Sequence, residues 1–405
     1  MDAKFDPIPN GTITSPQGFL AGASYAGIKT GGDGVLDLGM LCSEVPCIAA
    51  GVFTTNKVKA APVVLCQERL AGGRARAIVV NSGCANACTG EQGMADSIMM
   101  AELAARKLGV PLEEILVAST GVIGVSLPME RIRSGIEAIV LSGEGGHQLA
   151  RAIMTTDTLP KETAVSVRLG GKRITIGAVA KGSGMIYPDM ATLLCFITTD
   201  AALDASLART ALRKAVDESF NMIAIDGDTS TNDTVLLLAD GLAGNEPLQA
   251  GSAEAEVFQD ALREVCIYLA KCLARDGEGA TKLIEVRVEG ALTLREARLA
   301  ARTIAGSFLV KAALHGGDPN WGRIVAAVGR SGAEIDLPRT DLHLKELCLL
   351  RAGCPVAFDQ AEARGRLSNA EVSIRVCLNL GDESATAWGC DLSEEYVMIN
   401  SDYVT

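Results

Sequence analysis

Histidine is scarce in this chain, with 3 residues in a sequence of 405. No pair of them has metal-ligand spacing such as HExxH, and a Ser-His-Asp triad has little material to draw on. The motifs GxSxG and GxxxxGK[ST] are absent, and no GxGxxG follows a strand and opens a helix. These absences disfavour metal hydrolases, serine hydrolases with a histidine base, and enzymes that bind ATP or NAD. Only His315 lies in a plausible site loop, and a turn role is favoured for it.

Basic residues are fewer than acidic ones, with 37 Lys and Arg against 49 Asp and Glu, which gives a net charge of −12. That balance argues against nucleic acid or a membrane surface as a partner. No run approaches the ~18 apolar residues that span a bilayer, and the first residues lack the features of a secretory signal, which predicts a cytoplasmic protein. The 12 cysteines are therefore interpreted as reduced thiols, and their spacing predicts no metal site.

Ordinary composition, 48% hydrophobic and 21% charged, indicates a folded protein, and 405 residues favour two or three lobes. Strand-like and helix-like segments alternate, which predicts an α/β fold. The patterns indicate buried strands over 77–80 and 115–118 that stop at polar loops, a hairpin closed by Gly170-Gly171, a strand over 193–197, helices capped by Asp204 and Ser252, and a helix from Thr293 toward Leu314.

One way to activate a hydroxyl needs no histidine. A threonine can use its own α-amine as the base once the chain has cut itself on the N-terminal side of that residue. Thr192 fits, because the glycine-rich segment 181–185 precedes it, an apolar strand follows it, and small Ala191 leaves the preceding carbonyl open to attack. Threonine before a strand is also common, so this pattern alone leaves an ordinary structural role open.

Seven motifs, in order along nearly the whole chain, resemble the ornithine acetyltransferase (glutamate N-acetyltransferase) family of arginine biosynthesis. Seven ordered motifs are much more specific than any one of them. They are Asn81–Gly90, Ser119–Gly124, Met154–Thr158, Ala180–Met185 with Met190–Thr192, Ile225–Thr234, Asp318–Arg323 and Ile399–Thr405.

The resemblance implies two lobes of mixed β-sheet flanked by helices, with chemistry similar to that of N-terminal nucleophile hydrolases. It implies self-cleavage between Ala191 and Thr192 into an α chain, 1–191, and a β chain, 192–405. Thr192 would then carry an acetyl group from N2-acetylornithine to L-glutamate in a ping-pong reaction. The family further implies a heterotetramer of two α and two β chains and no cofactor, with acetyl-CoA as a candidate second donor.

The resemblance also assigns the site residues. It implies an oxyanion hole made by the Thr120 hydroxyl and the Gly121 N–H. Lys181 would meet the substrate carboxylate and Glu278 its ammonium group. Without the resemblance these residues would be interpreted as a turn and as solvated surface charges. The implied substrate-binding residues are Thr155, Lys181, Thr192, Glu278, Asn400 and Thr405.

Two other functions stay open at this point. A self-processing aminopeptidase or amidohydrolase would use the same Thr192 chemistry but pass the acyl group to water. A non-enzymatic thiol or metal-binding protein would depend on the cysteines, of which Cys84 stands where the family often has a polar residue. The polar loop with Asp226 and Asp228 could be interpreted as a cation site, but a turn that caps backbone amides is favoured.

Overall fold

The computed structural model describes residues 5–29, 32, 34–187 and 193–402. The strands are β1 (Asp6–Pro7), β2 (Phe19–Ser24), β3 (Leu38–Phe53), β4 (Arg74–Cys84), β5 (Ile115–Val122), β6 (Lys161–Leu169), β7 (Lys172–Lys181), β8 (Leu194–Thr199), β9 (Ile223–Ala224), β10 (Thr234–Ala239), β11 (Leu283–Ala291), β12 (Asp341–Leu344), β13 (Leu347–Arg351), β14 (Cys354–Pro355), β15 (Glu371–Cys377) and β16 (Glu383–Cys390). The α-helices are α1 (Ala61–Arg69), α2 (Gly90–Leu108), α3 (Met129–Ala138), α4 (Gly146–Ala152), α5 (Ala205–Asp217), α6 (Ala253–Arg275), α7 (Leu294–Ala305), α8 (Phe308–His315), α9 (Trp321–Gly329), α10 (Gln360–Leu367) and α11 (Glu394–Asp402).

The strands form two mixed sheets. The first has the order β1, β6, β7, β8, β10, β3, β4, β5, with β2 beside β3, and the second has the order β14, β13, β12, β15, β11, β16, β9. Parallel pairs such as β8 with β10 and β11 with β15 stand beside antiparallel ones. Helices flank both sheets, which confirms the predicted α/β class. The division predicted after residue 191 cuts through the first sheet, which takes β8 and β10 from beyond it.

The long strand β3 folds the first sheet over on itself. Its register with β4 slips between Cys42 and Cys47, where the strand is irregular. Side chains of β4 and β5 then share one buried cluster with those of β7, β8 and β10, for example Val80 with Val179 and Leu194. This curl brings the end of β5 opposite the end of β7, where the predicted site residues lie.

Helix α6 lies between the two sheets and packs on β6 and β7 of the first and on β11 and β16 of the second. Its predicted start is confirmed, since the Ser252 hydroxyl accepts the Ala255 N–H at 3.1 Å. The apolar stripe that includes Phe258 and Leu269 is fully buried. The helix ends at Arg275, so Glu278 lies in the loop that follows it.

Other local predictions are confirmed by the same kind of signal. Gly170 and Gly171 close the hairpin of β6 and β7 with φ of 54° and 78°, the left-handed backbone that a two-residue turn of this type needs. The Asp204 carboxylate accepts the Ser206 N–H at 2.7 Å and caps α5. The residues between 193 and 197 form most of β8, as predicted.

Two local predictions are wrong. The polar segments expected to end the strands after residues 80 and 118 belong to β4 and β5, because these strands pair in parallel through Ser82 and Thr120 and bury both side chains. The helix that Thr293 caps, α7, ends at Ala305 and does not run on toward Leu314. The chain leaves the helical path at Gly306-Ser307, so α8 is a separate helix.

The described part of the chain contains no helix that is both long and apolar enough to cross a membrane. All 12 cysteines lie within it, and none of them forms a disulfide. The same residues offer no group of three or more His, Cys, Asp or Glu side chains placed to hold a metal ion.

Candidate active site

One pocket gathers most of the residues that the sequence motifs single out, although they come from five separate parts of the chain. Ala191, Thr192 and Thr405 lie outside the described residues. The predicted site residues that line the pocket are Thr120 and Gly121 at the end of β5, Thr155 after α4, Lys181 at the end of β7, Glu278 after α6 and Asn400 on α11.

Lys181 lines this pocket and is buried. Its ammonium group donates to the Thr155 hydroxyl at 2.9 Å and to the Thr120 hydroxyl at 3.2 Å. Burial lowers the pKa of Lys181, and the nearby Asp157 carboxylate opposes that shift. An ammonium group carries three N–H donors, so within the described residues one donor remains for a ligand.

Asp157 lies behind this lysine, and the residue-by-residue reading of the sequence did not single it out. Its carboxylate accepts the Thr155 N–H at 3.0 Å, the Gly182 N–H at 2.6 Å and the buried Lys161 ammonium group at 2.6 Å. Burial by itself would raise the pKa of Asp157, but the charges of Lys181 and Lys161 and these hydrogen bonds lower it to about 2. The carboxylate therefore stays ionised and holds the backbone at Thr155 and at Gly182, the residue after Lys181.

Strand β8 begins beside the pocket. Leu194 pairs with Lys181 across β7 and with Thr234 across β10. Leu193 is the first described residue after positions 188–192. Its carbonyl oxygen accepts the Thr234 N–H at 3.0 Å. The residue that directly follows Thr192 in the sequence is thus held next to the pocket lysine.

Gly121 is a position in the pocket wall where the neighbouring backbone leaves no room for a side chain. Its φ is 129°, in the region that favours glycine. An added Cβ would lie 2.3 Å from the carbonyl carbon of Gly83 and 2.6 Å from the Cys84 nitrogen, both rigid backbone atoms. The close approach of β4 to β5 therefore requires glycine here, and it leaves the Gly121 backbone bare at the pocket wall.

Glu278 and Asn400 form the other wall. The Asn400 amide donates to the Glu278 carboxylate at 2.9 Å, and the Glu278 N–H donates to the Ser183 carbonyl oxygen at 2.9 Å. The first contact holds one carboxylate oxygen of Glu278, and the second holds its backbone. The pocket lining thus includes a carboxylate as well as the Lys181 ammonium group, as a ligand with both a carboxylate and an ammonium group requires.

The polar loop between β9 and β10 serves the backbone, as expected. Asp226 accepts the Ile186 N–H at 2.8 Å and also the Met185 N–H, which ties this loop to the segment after Lys181. Burial raises the pKa of Asp226 to about 6. The Asn232 amide donates to the Ala85 and Ser119 carbonyl oxygens at 2.6 and 2.8 Å and thereby joins the loop to β5.

His315 lies at the end of α8, away from the pocket lining. One ring nitrogen is 2.7 Å from the buried Asp391 carboxylate, which also accepts the Thr281 and Lys282 N–H groups at 2.8 Å. This histidine therefore takes part in a structural junction, at the end of a helix and not in the turn expected from the sequence.

A buried lysine, hydroxyl groups and a carboxylate that converge at strand ends define an enzyme pocket for a small charged ligand. Comparison with known proteins identifies the family. The ArgJ family model matches residues 20–405. The arginine biosynthesis bifunctional protein ArgJ of Symbiobacterium thermophilum is 59% identical over 98% of this chain and 99% of its own length, and that of Dehalococcoides mccartyi is 54% identical over 100% of both.

Among solved structures, the arginine biosynthesis bifunctional protein ArgJ of Bacillus halodurans is 45% identical, with a TM-score of 0.50. The match covers 51% of this chain and 97% of that one. The chain belongs to the ArgJ family, which confirms the resemblance to the ornithine acetyltransferases, and it is an enzyme of arginine biosynthesis.

Proposed function

We propose that this enzyme moves the acetyl group of N2-acetylornithine to L-glutamate through an acetyl ester on Thr192. The observation that carries the proposal is the convergence of Lys181, Thr120 and Thr155 beside Leu194, the first residue of β8, two residues beyond Thr192. Family membership supports acetyl transfer in arginine biosynthesis, and the pocket offers charges of both signs for an amino-acid ligand.

In the proposed maturation the chain cuts itself between Ala191 and Thr192. The two products stay together, because β8 and β10 lie inside the sheet that the first product otherwise builds. The matched chain of the Bacillus halodurans structure is about half as long as this one, as one product of such a cut would be. We extend the proposal to a cytoplasmic assembly of two α and two β chains.

In the proposed transfer, the freed α-amine of Thr192 takes the proton of its own hydroxyl, since such amines have a pKa of about 8. The hydroxyl oxygen bonds to the acetyl carbon, and the oxyanion that forms is stabilised by the Thr120 hydroxyl and the Gly121 N–H. The tetrahedral intermediate then breaks its bond to the ornithine nitrogen, which takes the proton from the α-amine. Glutamate repeats these steps in reverse with its own amine as the nucleophile.

The pocket charges support the recognition of both substrates. Lys181 has one N–H free of the described residues to meet an α-carboxylate, which both substrates carry. Glu278 faces the end where ornithine carries its side-chain ammonium group, and Asn400 holds the Glu278 carboxylate in place. No step needs a metal or a nucleotide cofactor. We include acetyl-CoA as a second donor, since the curated relatives are named bifunctional, and an assay with acetyl-CoA and glutamate alone decides this part.

Incubation with N2-acetylornithine in the absence of glutamate is expected to add one acetyl group to Thr192, because the ester forms before glutamate enters. Intact and peptide mass spectrometry of the 192–405 chain measures it. Initial rates should give parallel double-reciprocal lines, the pattern of a ping-pong reaction. An unmodified chain together with intersecting lines would indicate direct transfer, and steady release of acetate without glutamate would identify a hydrolase instead.

Glu278→Gln is expected to weaken the binding of acetylornithine more than the binding of glutamate, because of these two substrates only acetylornithine carries a side-chain ammonium group. A hydrogen bond to a charged group contributes about 1.5–3 kcal/mol, so kcat/KM for acetylornithine should fall roughly 10- to 150-fold. Glu394→Gln on α11 is the matched control, since it removes the same charge from an exposed residue nearby. Equal losses for both substrates would contradict the assignment of Glu278 to the ammonium group.

A further inference from the structure

A second buried lysine, Lys161, lies next to the pocket. It is the first residue of β6 and stands in register with the residue before Lys181, and only 2% of its side chain is exposed. Its ammonium group donates to the Asp157 carboxylate at 2.6 Å, to the Asp276 carboxylate at 2.5 Å and to the Leu159 carbonyl oxygen at 3.4 Å. All three of its N–H donors therefore have partners within the protein, and none is left for a ligand.

Four charged groups of alternating sign run from the pocket lining to the end of α6. Lys181 lines the pocket, and the Asp157 carboxylate accepts the N–H of the residue that follows it. Lys161 contacts Asp157 on one side and Asp276, the residue directly after α6, on the other. Water and salt screen such buried charges poorly, so each one acts strongly on the next.

Among the described residues, Lys161 provides the ammonium group that is in hydrogen-bond contact with Asp157. The other partners of this carboxylate are backbone N–H groups. The Lys181 ammonium group donates instead to the Thr155 and Thr120 hydroxyls, at 2.9 and 3.2 Å. Lys181 thus contacts two neutral groups, although a carboxylate lies nearby.

Without a counter-ion, the Asp157 carboxylate would act on the pocket in two ways. It would attract the Lys181 ammonium group away from the two hydroxyls, and it would repel the α-carboxylate of an incoming substrate. The Lys161 ammonium group cancels this negative charge from 2.6 Å away. The charge of Lys181 is therefore left for a ligand in the pocket.

We propose that Lys161 is a positioning residue, which neutralises Asp157 and thereby reserves the Lys181 ammonium group for the α-carboxylate of the substrate. The inference rests on the proposed function, which assigns that carboxylate to Lys181. Asp276 belongs to the same arrangement, since its carboxylate holds the Lys161 ammonium group and also accepts the Thr158 N–H at 3.0 Å. Its negative charge offsets part of the charge of Lys161, so the two residues should act on substrate affinity in opposite directions.

Two variants of the full chain separate this electrostatic role from structural support. Lys161→Met keeps the length of the side chain and removes its charge, so kcat/KM should fall roughly 10- to 100-fold for acetylornithine and for glutamate alike, with little change in kcat. Asp276→Asn can keep the bonds to Thr158 and Lys161 through its amide but removes a negative charge, so kcat/KM for both substrates should rise roughly 2- to 10-fold. Steady-state rates per cleaved chain measure both effects, and thermal melts measure folding.

N2-acetylornithine with an amidated α-carboxyl group is the probe for the carboxylate itself. Wild type and Lys161→Met should use it equally well, because it brings no negative charge to Lys181. Lys311→Met is the matched control for the loss of a buried ammonium group. Lys311 is fully buried as well, but it donates to the Cys390 carbonyl oxygen at 2.5 Å, outside the pocket lining, so its loss should leave kcat/KM unchanged.

Similar losses in Lys161→Met and Asp276→Asn would identify ordinary structural support and overturn the inference. A loss for Lys161→Met that the amidated substrate shows in full would do the same. If Lys161→Met does not fold or cleave, Asp276→Asn decides alone, since any result other than a rise in kcat/KM contradicts the predicted sign. Failure of the proposed function has a different signature, namely wild-type enzyme that does not transfer acetyl to glutamate, or that uses the amidated substrate as well as the free acid.

Discussion

Thr192→Ala is expected to remain one chain of 405 residues and to lose acetyl transfer. Alanine has no hydroxyl to attack either the Ala191 carbonyl or the acetyl group, so maturation and catalysis fail together. Removal of a nucleophilic hydroxyl costs on the order of 10⁶ in kcat in enzymes of comparable chemistry. Denaturing electrophoresis with N-terminal sequencing measures the cut, and ornithine release from acetylornithine measures transfer.

Thr192→Ser is the control for this result, because serine keeps the hydroxyl and loses only the methyl group. It should still cleave at the same bond and retain measurable transfer. The Ala variant should melt cooperatively, since Leu193 keeps its bonds to Asp233 and Thr234. An uncleaved wild-type chain with full activity would refute both roles of Thr192.

Several elements could be predicted from a few adjacent residues. The caps at Asp204 and Ser252 act on N–H groups two or three residues away, and the Gly170-Gly171 turn joins adjacent strands. Such local chemistry is readable without the fold. The polar ends of β4 and β5 were misjudged because burial against the curled sheet, which no local pattern shows, keeps Ser82 and Thr120 in strands.

The pocket shows the same difference between local signals, which the sequence reveals, and long-range contacts, which it does not. The family resemblance assigned Thr120, Lys181 and Glu278 to the site, and the structure brings them together. Composition and spacing alone favoured ordinary structural roles for all three. Asp157 was passed over because it acts on a residue 25 positions away, and only the tertiary fold reveals such a contact. It lies inside the motif 154–158, so an acidic residue within a motif that has no assigned role was the available signal.

Thr120→Ala is expected to reduce kcat about 10²- to 10³-fold with little change in KM, the usual cost of one oxyanion donor. The Lys181 ammonium group donates to the Thr120 oxygen at 3.2 Å, so the hydroxyl accepts on one side and its own hydrogen is free to point at the reacting carbonyl. The ground-state carbonyl gains little from that donor, whereas the oxyanion gains a full hydrogen bond. Steady-state rates with both substrates, expressed per cleaved chain, measure the change.

Two variants make this test specific. Thr120→Ser keeps the hydroxyl and should retain most of kcat. Thr155→Ala removes the other hydroxyl that Lys181 holds, at 2.9 Å, and should act mainly on KM, because Thr155 is predicted to bind substrate rather than the oxyanion. If Thr120→Ala instead raises KM and leaves kcat unchanged, Thr120 is a substrate-binding residue, and the oxyanion must be stabilised by Gly121 and other donors of the pocket.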